Sequence, residues 1–238
     1  MEHVTNDPGG VAEALEDRPT APRSDAPSPH EDGRDPWSKA VGNIETASGL
    51  RYDFEHPDPA TILLEDIAHA LSNVCRFAGH IRRFNSVDGH SVLVSRIVAA
   101  QPVEAFGDVR YGAGNATAKK RDIVRAALLH DAHEAYIWDA PSPVKPLLGD
   151  TFKRLGRIAD EAIASKFLKE GYSADTFKNP LIKAADRCAL VVEGRALLPV
   201  GPTDDEWEPL PPGVQWDGGL TPYEAKTLFL QRAKELGL

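Results

Sequence analysis

The stretch LLHDAHEAYIWD, residues 128–139, sets the apolar pair Leu128-Leu129 directly before His130, Asp131 and Glu134. Ile123, Ala127, Leu128 and Ala135 fall toward one side at helical spacing, so the spacing predicts one long helix over 117–137. On such a helix Glu134, four residues after His130 and three after Asp131, shares one face with both. Polar groups of this kind are costly on an apolar helix unless something satisfies them. A divalent cation does so, because neutral imidazole and carboxylate are among its ordinary ligands. Taken alone, the pair reads equally well as a solvated face carrying an i,i+4 ion pair.

Outward from that segment the chain stays helical. The run PSPVKP at 141–146 stops the first helix. A second amphipathic stretch covers 151–168, with Phe152, Leu155, Ile158, Ala162 and Ile163 inward. Asn179-Pro180 opens a third, to about 198, with asparagine as cap and proline in the first turn. Thr221-Pro222-Tyr223-Glu224 has capping-box form and starts the last helix, ending near Leu236. On the N-terminal side Thr61 reads as the cap of a helix with Ile67, Leu71, Val74 and Ala78 on one face. The run HSVLVSRIVAA, 90–100, is apolar nearly all round, as a central helix would be, and His90 opens it. Residues 43–54 read as a short extended piece turning at Gly49, while 107–114 and the Pro- and Gly-rich 199–220, with Trp207 and Trp216, read as loops. No alternating strand pattern or internal repeat competes with these helices. The expectation is an all-α helical bundle over 39–238.

Residues 1–38 are different. They hold six of the nineteen prolines, nine acids against three bases, and almost no large apolar residue before Trp37. Such a segment buries too little surface to offset its ordering entropy, and it reads as a disordered tail. Of the net charge of −9 the tail supplies −6, leaving −3 for the body. A near-neutral body lacks the basic stripe of a nucleic-acid binder. No stretch approaches the 18 or so apolar residues of a membrane span, and MEHVTNDPGG at the start lacks the form of a signal peptide. Cys75 and Cys188, far apart within helical patterns, fit reduced, buried thiols. These features point to a cytoplasmic protein.

Two further polar residues interrupt apolar helices. Asp186 lies between Ala184-Ala185 and Ala189-Leu190, where an unpaired carboxylate would be expensive, so a metal or arginine partner is expected. His90 projects from the first turn of its helix, where a lone histidine is more often a core residue than a ligand.

The segments RFAGHIRRFNSVDGHS (76–91), LLHDAHEAYIWDAPSPVK (128–145) and IKAADRCALVVEGR (182–195), in that order, resemble the HD superfamily of metal-dependent phosphohydrolases. The motifs look like those of bacterial HD 5′-deoxyribonucleotidases and phage dATP triphosphohydrolases, and the resemblance covers roughly residues 48–236. It implies that His90, His130, Asp131 and Asp186 ligate one divalent metal (Co, Mn, Zn, Fe or Mg), and that Glu134 orients or deprotonates the attacking water. It further implies that Arg76, with Phe77 beside it, holds the phosphate and the nucleotide, and that Asp139 contacts the sugar and helps position the scissile group. The substrate would be a small-molecule deoxynucleotide, mono- or triphosphate, and the protein a homo-oligomer. The deoxyribonucleotidases carry tryptophan beside the arginine where this chain has Phe77, a difference that bears on base preference.

All eight histidines lie at or before His133. HD phosphodiesterases with two metals and HD di-iron oxygenases use further histidines downstream of the His-Asp pair, so a mononuclear centre is expected, to which substrate phosphate can recruit a second ion through Glu134. His133, His69 and His80 read as mainly structural, and Glu193, seven residues after Asp186, as the partner of Arg195 or of an arginine on another helix. The competing reading of the same motifs is an inactive HD domain that binds nucleotides as a sensor or scaffold. Deleting residues 1–38 should leave the melting temperature nearly unchanged in a thermal unfolding scan. A large loss would show that Trp37 or its neighbours dock on the domain.

Overall fold

A central helix needs apolar side chains around most of its circumference, and α2 (Val87–Ala100) has them: Val87, Val92, Leu93, Val94, Ile97 and Val98 are all buried. In the computed structural model, which describes residues 42–107, 113–202 and 209–238, the fold is all-α. Helix α2 packs against α1 (Leu64–Asn73), α3 (Ala113–Leu128), α6 (Pro180–Leu197) and α7 (Pro222–Leu236). A single-turn helix α4 (Glu134–Ile137) lies against α1 and against α5 (Gly149–Phe167). The small sheet pairs β1 (Asn43–Glu45) antiparallel to β2 (Arg51–Asp53), with Gly49 at φ 82° in the turn between them. Among the described residues no helix is long and apolar enough to cross a membrane. The tail 1–38 with Trp37, residues 108–112 of the expected loop at 107–114, and Trp207 lie outside the described residues.

Two helix starts follow from their capping chemistry. Asn179 Oδ1 accepts from Leu181 N–H ahead of Pro180, and Thr221 and Glu224 form the reciprocal capping box of α7. Thr61 does not cap α1. Asp58 caps a 3₁₀ turn over Pro59–Thr61, Thr61 Oγ1 donates to Asp58 O, and α1 begins only at Leu64. Ile67 and Leu71 are buried as expected, but α1 ends at Asn73, because Val74 is extended and Ala78 lies past it in a left-handed turn, exposed. Cys75 and Cys188 form no disulfide and are half-buried rather than buried.

The predicted long helix over 117–137 is broken. Helix α3 ends at Leu128, and the chain passes through tight turns, with Ala132 N–H bonded to Leu129 O and Glu134 N–H to Asp131 O, before α4 begins. The side chain of His130 takes part in the break: its Nδ1 lies 2.9 Å from Ala127 O and satisfies a carbonyl that the helix would otherwise use. Helix α5 then returns, with Ala162 and Ile163 buried and Phe152, Leu155 and Ile158 half-buried.

Helix α7 contributes Phe229, fully buried, to the cluster formed with α1 and α2. Phe229→Ala should cost about 3–5 kcal/mol in urea unfolding, the range for removing a buried aromatic ring. A cost below about 1 kcal/mol would make α7 peripheral.

A second tie joins α4 to α5. His133 Nδ1 lies 3.0 Å from Asp160 Oδ1, an ion-pair contact. Burial alone would depress the imidazole, but the Asp160 carboxylate, helped by Asp131 and Glu134, outweighs it and raises the group to about 9. The folded value lies above the unfolded one of about 6.5. The pair's stabilisation is therefore complete below that unfolded value and is lost as pH rises through about 9. In chelator-treated protein, Asp160→Asn should flatten the fall of melting temperature over that window. An unchanged profile would remove the pair from the stability of the α4–α5 contact.

Candidate metal centre

Four donors come together from three parts of the chain. His90 projects from the first turn of α2, His130 and Asp131 from the break after α3, and Asp186 from the middle of α6. His90 Nε2 is 3.0 Å from Asp186 Oδ1 and 3.8 Å from Asp131 Oδ2, while His130 Nε2 is 3.2 Å from Asp131 Oδ2 and 4.0 Å from Asp186 Oδ1. Donors held at about 2.1 Å from one ion stand roughly 3–4 Å apart, the spacing found here. Among the described residues one group of three or more such side chains has its ligand atoms all within 4.8 Å of one another, that of His90, His130 and Asp186, and Asp131 lies beside it with its Oδ2 near both imidazoles.

The ring orientations fit a cation. Each imidazole has its Nδ1 held by an acceptor, that of His130 by Ala127 O at 2.9 Å and that of His90 by both oxygens of Glu193 at 3.1 and 3.2 Å. This leaves both Nε2 atoms facing the carboxylates, the arrangement that outer partners impose on metal-ligating histidines. His130 Nε2 is buried 3.2 Å from Asp131 Oδ2 and makes no hydrogen bond, so that atom is left for a cation to satisfy. Two imidazole nitrogens and two carboxylate oxygens are a donor set for a divalent cation.

The protein's own charges work in the same direction. Burial and the Arg76 charge oppose protonation of His90, but Glu193 and Asp186 outweigh them and raise it to about 10, so a cation at Nε2 competes with a proton. Burial would push Asp131 up, and the His130 and His90 charges hold it well below the usual carboxylate range. Asp186 is lowered likewise, burial again being outweighed by His90 and His130. Contrary to the expectation of a buried carboxylate, the Asp186 side chain is 45% exposed. It sits at the rim, with one oxygen turned inward to His90.

Glu134 is buried at the start of α4, brought beside Asp131 by the turn rather than by a continuous helix face. Its Oε1 is 3.5 Å from Lys145 Nζ, and its Oε2 has no hydrogen-bond partner. Burial, then the Asp131 and Asp139 charges, raise its carboxyl to about 8. Lys145 escaped the sequence reading because one lysine in a proline loop carries no pattern.

Arg76 is buried and lies in the turn Arg76–Gly79 past the end of α1. Arg76 Nε donates to Glu193 Oε2 at 3.0 Å, Nη1 is 4.0 Å from Asp131 Oδ2, and the guanidinium carbon stands 5.6 Å from the Phe77 ring centroid. Glu193 thus pairs with Arg76 rather than Arg195, which donates to Pro202 O. Its contact with His90, 103 residues away in sequence, had no local signal to announce it. Asp139 is half-buried, near enough for its charge to act on Arg76 and Glu134. His69 and His80 are exposed.

The three non-glycine residues with positive φ among the described residues flank these side chains. Phe77 (φ 56°) and Ala78 (φ 51°) follow Arg76, and Trp138 (φ 59°, ψ 163°), 57% exposed, precedes Asp139. Each such conformation costs on the order of 1–3 kcal/mol and persists only where the surroundings impose it.

No family model matches the chain. It is 32% identical over 198 residues to YfdR, an uncharacterized protein of Escherichia coli, across 81% of this chain and 94% of that protein. It is also 34% identical over 155 residues to an uncharacterized protein of Rhodobacter capsulatus, across 63% of this chain and 70% of the relative. With nearly the whole of the Escherichia coli protein matched at that identity, the chain belongs to the YfdR family.

Proposed function

We propose that the chain is an HD-type metal-dependent phosphohydrolase that removes phosphate from deoxynucleotides, as a 5′-nucleotidase of monophosphates or as a triphosphohydrolase. The observation that carries this reading is the convergence of His90, His130, Asp131 and Asp186, with imidazole nitrogens 3.0–4.0 Å from carboxylate oxygens, beside a buried arginine and a buried glutamate. A divalent cation held by those four side chains supplies positive charge against phosphoryl oxygens and makes water more acidic.

The remaining work falls to the chain's own groups. Glu134 takes the proton of the attacking water: its Oε2 has no protein partner, and burial beside Asp131 and Asp139 makes its carboxylate a stronger base than a free one. Arg76, fixed through Nε by Glu193, offers its Nη groups to the negative charge that develops on the phosphoryl oxygens. Phe77 presents a face to the sugar or base, and Asp139 accepts from a sugar hydroxyl. Water adds across the P–O bond, giving a phosphate and a deoxynucleoside from a monophosphate ester, or triphosphate and a deoxynucleoside from a dNTP.

The test is phosphate or triphosphate release from a panel of dNMPs and dNTPs with added Mn²⁺, Co²⁺ or Mg²⁺, alongside metal content. Asp186→Ala, placed at the rim of an intact helix, should lose both metal and hydrolysis. Glu134→Ala should keep the metal while turnover falls by about 10²–10⁴-fold. Arg76→Ala tests less cleanly, since it would strand the buried Glu193 charge and destabilise the fold by several kcal/mol. Metal-loaded protein that binds nucleotides and releases nothing from any of them would overturn the enzymatic reading in favour of a nucleotide-binding domain.

A further inference from the structure

Asp186 and Glu193 stand seven residues apart on α6, two turns along one face, and the His90 ring lies between their carboxylates. The outer carboxylate meets Nε2 at 3.0 Å and the inner one meets Nδ1 at 3.1 Å. The inner carboxylate is 0% exposed, and its Oε2 also accepts from Arg76 Nε at 3.0 Å. One anion therefore holds both a candidate metal ligand and the arginine assigned to the phosphate. A buried carboxylate is tolerated only when it is matched by charge and hydrogen bonds; Asn85 lies beside this one, and the two basic side chains that match it, Arg76 and His90, belong to two different parts of the site.

We infer that Glu193 is a positioning residue that couples the metal site to the phosphate site. Through His90 it fixes the proton on Nδ1, turns Nε2 toward Asp131 and Asp186, and makes the ring a stronger donor, as carboxylate partners of ligating histidines do. Through Arg76 it consumes the Nε edge of the guanidinium and leaves the Nη end, 4.0 Å from Asp131 at its nearer nitrogen, to meet an anion. Loss of Glu193 loosens both at once. The phosphate half of this inference rests on the phosphohydrolase reading, and the metal half rests on the four-donor geometry alone.

Glu193→Gln keeps the shape of the side chain but removes the negative charge that holds both partners and replaces one acceptor oxygen with an N–H₂ donor. Calorimetric titration of the folded variant should show Mn²⁺ affinity lower by about 10–100-fold, with inorganic phosphate binding to the Mn²⁺-saturated variant weakened as well. A purely structural ion pair would lower the melting temperature and leave both affinities of the folded protein unchanged, and that result overturns the inference. Loss of Mn²⁺ affinity with phosphate binding intact overturns the coupling. Since Mn²⁺ and inorganic phosphate need no turnover, failure here is separate from failure to hydrolyse any nucleotide. Should the variant not fold, ¹⁵N spectra of the wild-type imidazoles titrated with Zn²⁺ decide the metal half: His90 should keep its Nδ1 proton while Nε2 takes the metal. Zinc at Nδ1 would sink it.

Discussion

A carboxylate moved out of water loses several kcal/mol of solvation, and it stays charged in a protein only where opposite charge and donors travel with it. Glu193 imposes that condition at the centre of this fold. Its partners come from the turn after α1 and from the first turn of α2, so α6 must lie where both can reach it. Extended backbone at Val74 and Cys75 ends α1 and leads the chain to Arg76, whose N–H bonds Asn85 O at 2.9 Å. Once α6 is placed, Asp186 arrives at the outer side of His90, and the break after α3 brings His130 and Asp131 to the remaining side. The candidate centre is thus organised from its buried end toward its rim.

Much of the scaffold was legible because it is written in local chemistry. Asn179-Pro180 and the Thr221–Glu224 box each satisfy the free N–H groups of a helix start within a few residues, and no tertiary contact is needed to read them. The apolar circumference of 90–100 likewise marks a helix surrounded by others, which α2 is. The three segments that carry the candidate ligands are also local patterns, and the donors they supply do converge.

What was not legible depends on partners distant in sequence or on competition between equal local choices. Leu128 to Ile137 contains no glycine or proline, so nothing local forbids a helix, and the break arises from how His130 and the turns satisfy the backbone. Thr61 was a reasonable cap, but Asp58 three residues earlier captured the turn. The environment of Glu193 involves residues 103 and 117 positions away, and the half-exposure of Asp186 depends on how α6 is rotated against α2. Periodicity gives a helix a buried stripe without saying how deep each edge of it lies.

The ring of His130 joins two roles that most proteins keep apart. One nitrogen closes off the end of α3 through Ala127 O, and the other stands among the candidate metal donors. A residue with this double occupation resists gradual replacement, since any substitute must both end a helix and present a donor at the same point. The half-exposed Asp186 makes no such double demand, since the backbone of α6 asks nothing of its side chain.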